Sequence, residues 1–253
     1  MVSAISAFLA SFFLAAIDQP RTLTVYNGCP FTIWPAMLTD LTRNAATPSH
    51  PTGWEAAPYT YVTFEVPDNW AGGRIWGRRS CNFTNPNTGT CVSGGCDGGL
   101  VCDPYSAGAG AAPITIAELT LGSEKGFDYY HISLLSGYNL PMAITSSAGF
   151  PTVDCSVALS HICPASLAGP QDTTGFPIGC KSDCMVGTSL SDSASCCSRP
   201  QNLSTNCPLS GAPHYSFFKN HCPNAVVYGS DDSALKTVPS SAASDYIITF
   251  CGP

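Results

Sequence analysis

The side chains best equipped for chemistry in this chain are fourteen cysteines. Thiols that recur in closely spaced pairs ligate zinc, and thiols without that pattern crosslink. No sustained C-x-x-C pairing runs through the sequence. The adjacent Cys196 and Cys197 are poorly placed to hold one ion and well placed to bridge two different partners. The spacing therefore predicts seven disulfides formed in an oxidising compartment. Four of these cysteines, Cys81, Cys91, Cys96 and Cys102, fall within Gly73 to Cys102 among glycines, asparagines and a proline. That interval shows no apolar face of period 2 or 3.6, so crosslinks must hold its shape. Before its first cysteine stands Arg74-Ile75-Trp76-Gly77-Arg78, the densest positive charge in the chain.

Other reactive patterns are not visible in the linear order. There is no Ser-His-Asp spacing, nucleotide-binding loop or zinc helix, and Asp154 precedes Cys155 without a metal pattern. No metal and no cofactor is expected. Charged residues make up 11% of the chain and the formal net charge is −7, against about 25% charged in ordinary soluble domains. That balance argues against nucleic-acid binding, which needs clustered Lys and Arg. It also weakens docking to anionic lipid. Neutral polysaccharides are unaffected by the sign.

Short strands must position these groups. Arg21 to Ala36, β-branched and aromatic around Asn27-Gly28, reads as two strands joined in a hairpin. Thr60 to Val66 alternates well, and Gly73 to Trp76 starts another strand. Ile114 to Leu121 places Ile114, Ile116, Glu118 and Thr120 on one side. Asp128 to Leu135, Leu140 to Thr145 and Tyr246 to Phe250 complete the set. Repeated short strands with Gly and Pro turns indicate a mainly β sandwich or barrel. Residues 155 to 222 hold eight cysteines with Ser, Gly and Pro between them and read as a crosslinked lobe. Short helices are expected there at Val157 to His161 and Tyr215 to Asn220. Residues 1 to 16 are apolar, end in small residues and are too short to span a bilayer. They read as a signal peptide cleaved near Ala16, lacking the usual basic start, so the protein is expected to be secreted. Asn82 and Asn202 begin glycosylation sequons.

Several motifs in order resemble the thaumatin-like proteins, which include sweet thaumatin and plant pathogenesis-related antifungal proteins. Val25 to Trp34 looks like that family's first strand pair. Gly73-Arg74-Ile75-Trp76-Gly77-Arg78 before Cys81 is similar to its signature. Thr115-Ile116-Ala117-Glu118-Leu119, His131 to Leu134, Gly137 to Met142, Tyr215 to Lys219 and Cys222 to Ala225 follow further stretches. The resemblance implies a thaumatin-like β-sandwich core, from residues 17–80, 112–154 and 223–253. A stapled loop region at 81–111 and a disulfide-rich lobe at 155–222 would be its satellites. The family usually has sixteen cysteines. The two absent here, near Phe150 to Val153 and near Val238, bond to each other in the family, so no thiol is orphaned. The implied pairs are Cys29–Cys251, Cys81–Cys91, Cys96–Cys102, Cys155–Cys222, Cys163–Cys180, Cys184–Cys196 and Cys197–Cys207.

The resemblance also implies an acidic cleft lined in the family by one Arg, one Glu and three Asp. Arg74, Glu118 and Asp231 match three of those positions, with Asp232 beside the last. His131 and Ser136 replace the other two, and Ser93-Gly94-Gly95 replaces the usual Thr-Gly-Asp before Cys96. Asp128 is three residues from His131, which sends it to the opposite sheet face. Hydrolysis of a glucan needs two carboxyls, about 5–5.5 Å apart for retention or about 6.5–9.5 Å for inversion. Glu118 is the candidate acid and Asp231 the remaining candidate to activate water. His131 would add a switchable positive charge beside Glu118. The bland alternatives are a Glu118–Arg74 structural ion pair, a hydrogen-bonded sheet histidine and a solvated Asp231-Asp232 turn. Trp34, Trp54, Trp70 and Trp76 are candidate sugar platforms, with Trp76 expected in the core. The implied function is a monomeric defence or wall-associated protein that binds β-1,3-glucan. The alternatives are a weak endo-β-1,3-glucanase and a non-catalytic permeabilising or enzyme-inhibiting protein.

Overall fold

The computed structural model describes residues 20–43, 46–106, 110–186, 194–197 and 212–252. The expected signal peptide, the sequon at Asn202 and Cys207 lie outside them. Alternation builds the first sheet. In β1 (Arg21–Asn27) every second residue, Arg21, Leu23, Val25 and Asn27, is buried. β1 lies between β3 (Thr60–Val66), antiparallel, and β12 (Tyr246–Phe250), parallel. β8 (Met142–Ser146) and β9 (Val153–Cys155) complete a five-stranded sheet in the order β3-β1-β12-β8-β9.

The second sheet has seven strands. Its path is β10 (Ala225–Val226), β7 (Phe127–Ser133), β6 (Ile116–Thr120), β4 (Gly73–Asn82) and β2 (Trp34–Thr39). β11 (Lys236–Pro239) also pairs with β7, and β5 (Thr90–Ser93) with the distal half of β4. Between the sheets, Leu23, Val25, Ile75, Leu119, Ile132, Ile144 and Ile248 form one buried cluster. Together the two packed sheets make the mainly β sandwich that the strand pattern predicts.

The hairpin expected at Asn27-Gly28 does not form. β1 and β2 belong to different sheets. The Asn27 amide donates to the carbonyls of Phe31, Ala56 and Ala57, and its oxygen accepts from the Cys29 N–H. These bonds turn the chain out of one sheet and into the other. Gly28 is needed in that bend, because a Cβ there would come within 2.8 Å of the Phe250 carbonyl oxygen.

Between described residues the disulfides are Cys29–Cys251, Cys81–Cys91, Cys96–Cys102, Cys155–Cys222, Cys163–Cys180 and Cys184–Cys196. Cys197 is disulfide-bonded as well. The stapled loop also has a non-covalent anchor. Arg78, fully buried, donates to the carbonyls of Trp34, Pro35, Gly99 and Leu100. Trp76 is buried beneath the same loop and donates to the Gly94 carbonyl at 2.8 Å. Within residues 155–222, Leu159–His161 is a 3-10 helix. Two short helices follow, α1 (Asp183–Val186) and α2 (Tyr215–His221). No helix among the described residues is long and apolar enough to cross a membrane.

Candidate functional site

Register places three charged or titratable side chains in one row across the seven-stranded sheet. Arg74 of β4 stands opposite Glu118 of β6, and Glu118 stands opposite His131 of β7. Their chain neighbours Ile75, Ala117, Leu119 and Ile132 point into the core. A period of two therefore sends the row to the outer face. That face forms a cleft of about 600 Å³, which Thr120, Tyr129 and Leu235 also line.

The electrostatics of the row differ from the sequence expectation. Arg74 forms no ion pair or side-chain hydrogen bond with any described residue, although it neighbours Glu118 in register. The structural Glu118–Arg74 pair is therefore not formed. Glu118 lies instead 4.0 Å from His131 Nε2, too far for a hydrogen bond. Burial pushes the His131 imidazole below its ordinary value, and the nearby carboxylates of Glu118 and Asp232 offset only part of that effect. His131 is accordingly neutral at neutral pH and supplies no positive charge to Glu118 there. An NMR titration should place its midpoint below the usual value of about 6.5. Glu118→Gln should lower the midpoint further, because Glu118 favours the charged ring. A midpoint at or above the usual value would contradict this description.

Asp231 is not a cleft residue. It is buried, accepts from Lys219 Nζ at 2.9 Å, and caps the 3-10 turn Asp232–Ala234 through Ser233. Burial alone would raise its pKa. Hydrogen bonds from Ser233, Lys219 and the Val227 N–H outweigh that and hold the carboxyl below its ordinary range. The exposed neighbour is Asp232. Ser136 is also absent from the cleft lining; it sits in the turn after β7, where its carbonyl accepts from Ile114 N–H at 2.9 Å.

The cleft is not acidic overall. Asp40, Glu118 and Glu124 are matched by Arg43, Arg74 and Lys125, so three formal negative charges meet three positive ones. Asp40 and Arg43 pair at the rim at 3.1 Å. None of the four tryptophans lines the cleft. Trp70 is buried with its Nε1 on Thr39 Oγ1, and Trp54 packs beside His50 and Phe64. The aromatic ring that does line it is Tyr129, which shares the parity of His131 in β7 and was therefore legible from the alternation.

A sequence model described as the Thaumatin family matches residues 27–252. The chain belongs to the thaumatin family. It is 35% identical over 249 residues to thaumatin-like protein 1 of Castanea sativa, covering 96% of this chain and 95% of that protein. It is 33% identical over 256 residues to thaumatin-like protein 1a of Malus domestica, covering 99% and 98%. It is also 33% identical over 246 residues to pathogenesis-related thaumatin-like protein 3.2 of Cryptomeria japonica, covering 95% and 92%.

In this thaumatin-family chain the cleft does not end at Arg74. A second hollow of about 410 Å³ shares Asp40 and Arg74 with the first and is lined further by Leu38, Pro104 and Tyr105. Tyr105 is 83% exposed. An aromatic ring presented to solvent at the edge of a groove has no packing role to explain it. Sequence reasoning missed it because its neighbourhood has no periodicity to mark an outward face.

Proposed function

We propose that this protein is a secreted, defence-type member of the thaumatin family that binds a neutral cell-wall polysaccharide of the β-1,3-glucan class without efficient turnover. The carrying observation is the placement of Asp231. Asp231, nominated with Glu118 for hydrolysis, is engaged by Lys219 and Ser233 and is not among the residues lining the cleft, which supports binding over efficient turnover. The balanced charge of the cleft favours a neutral ligand over a polyanion. Arg74, free of protein partners among the described residues, is available to donate to sugar hydroxyls. Tyr129 and Tyr105 supply faces for ring C–H groups. The defence role is supported by the pathogenesis-related relative.

Sedimentation with insoluble β-1,3-glucan tests this reading. The wild type is expected to co-sediment, and Tyr105→Ala to bind roughly two- to tenfold more weakly, in line with about 0.5–1.5 kcal/mol for an aromatic stacking contact. The exposed ring can be removed without disturbing the core. Wild-type protein that stays in the supernatant across a range of pH would refute the proposal.

A further inference from the structure

Away from the cleft, the disulfide-rich lobe brings together three side chains that the linear sequence keeps apart. Ser166 lies in the 3-10 turn Ala165–Leu167, Asp183 opens α1, and His214 immediately precedes α2. Ser166 and His214 are 48 residues apart, and Asp183 and His214 are 31 apart. Sequence spacing therefore gave no Ser-His-Asp signal, and the fold corrects that expectation. Asp183 is buried. Its Oδ2 accepts the His214 backbone N–H at 2.8 Å, and its Oδ1 lies 2.6 Å from His214 Nδ1. His214 Nε2 lies 3.1 Å from Ser166 Oγ, and Ser166 is exposed.

These contacts fix the tautomer. An ionised carboxylate only accepts hydrogen bonds, so His214 Nδ1 carries the proton. Nε2 then presents its lone pair to the Ser166 hydroxyl. Both spacings fall within hydrogen-bond reach for a nucleophile, its base and the group that orients the base. Such arrangements are recognised by geometry and role rather than by chain position. Tying α2 to α1 needs only the two Asp183 bonds. It does not account for the remaining ring nitrogen facing an exposed hydroxyl.

We propose that Ser166 is a nucleophile for acyl transfer from carboxylic esters with short acyl groups, with His214 as its base and Asp183 as a positioning residue. Ser166 Oγ forms a bond to the ester carbonyl carbon while its proton passes to His214 Nε2. Collapse of the tetrahedral intermediate breaks the ester C–O bond, and Nε2 protonates the departing alkoxide. Water then attacks the acyl-serine and gives its proton to Nε2, which returns it to Oγ as the carboxylic acid leaves. Short acyl groups are specified because Ser166 is exposed and neither hollow described above adjoins it to hold a longer chain. General-base assistance of this kind is typically worth roughly 10²–10⁴-fold.

The test uses the intact disulfide-bonded protein with p-nitrophenyl acetate and, separately, an alkyl fluorophosphonate. The fluorophosphonate forms an Oγ–P bond and releases fluoride. Peptide mass spectrometry should find one phosphonate per protein, on Ser166. Ser166→Ala alters only an exposed hydroxyl; it should lose the adduct and at least tenfold of the p-nitrophenolate release. His214→Gln should slow both reactions at least tenfold. Asp183→Asn presents an amide N–H to Nδ1 and disfavours the working tautomer. It should flatten the imidazole-dependent rise of labelling with pH, which loss of a mere structural latch would leave in place. Absence of an adduct on Ser166, or equal ester cleavage by the wild type and Ser166→Ala, would overturn the proposal.

Discussion

Replacing Asp128 with alanine is expected to cost about 3–5 kcal/mol of stability, the usual penalty for stranding one partner of a buried ion pair. Asp128 is completely buried on the core face of β7. Its carboxylate accepts from both terminal nitrogens of Arg21, from Gly122 N–H, Ser240 Oγ and Tyr246 OH. Arg21 belongs to β1 and Tyr246 to β12, so this one side chain links the two sheets. Alanine would leave the buried Arg21 guanidinium with only the half-exposed Asp68 carboxylate, 4.0 Å from its Nε, and would also remove the acceptor for Tyr246. A fall in the denaturant midpoint at unchanged slope would report the loss.

The same group makes a pH prediction. Burial raises the Asp128 pKa, but hydrogen bonds from Arg21, Gly122, Ser240 and Tyr246 outweigh it and hold the carboxyl below its ordinary value. A carboxyl lowered in the folded state stabilises the fold above the ordinary carboxylate range. That contribution is lost as the pH falls through its folded value. The stability gap between wild type and Asp128→Ala should therefore be widest near neutrality and narrow on acidification. A gap that stays constant into strong acid would show that the pairing does not stabilise the fold.

Removing the Cys29–Cys251 bridge, with both cysteines changed to alanine, is expected to cost roughly 5 kcal/mol. The bridge spans a sequence separation of 222 and fastens the end of β1 to the end of β12, which already pair in parallel. In the chain-entropy model a bond that closes so long a loop constrains the unfolded chain more than a short one does. Cys81–Cys91 has a separation of 10 and should cost only roughly 2–3 kcal/mol on the same basis. Chemical denaturation of the two double variants decides the matter. Equal losses would mean that loop closure is not the source of the effect.

Much of the sandwich was legible because half-buried strands alternate. Thr60–Val66 and Tyr246–Phe250 form where their pattern predicts. β5, β9, β10 and β11 are two to four residues long, too short to show a period. The Asn27-Gly28 hairpin signal fails because it is local, whereas the pairing of β1 is with distant β12 and β3. The actual partner of Asn27 on the β12 side is Phe250. At the candidate site, the family resemblance grouped Arg74, Glu118 and His131, and parity within one strand sent Asp128 to the face opposite His131; register shows that the three share a row. Parity could not separate Asp231 from Asp232, since neither lies in a strand. Only the Lys219 contact shows which of the two is buried. Nor could a whole-chain charge of −7 reveal that the cleft itself is balanced.

The central claim, a cleft that holds glucan without cutting it, is tested most directly by soluble β-1,3-glucan with calorimetry and a reducing-end assay run on the same samples. We predict a saturable isotherm for the wild type and no release of reducing ends above the blank, in the wild type or in Glu118→Gln. Steady release by the wild type that disappears in Glu118→Gln would contradict the account, as would the absence of any isotherm.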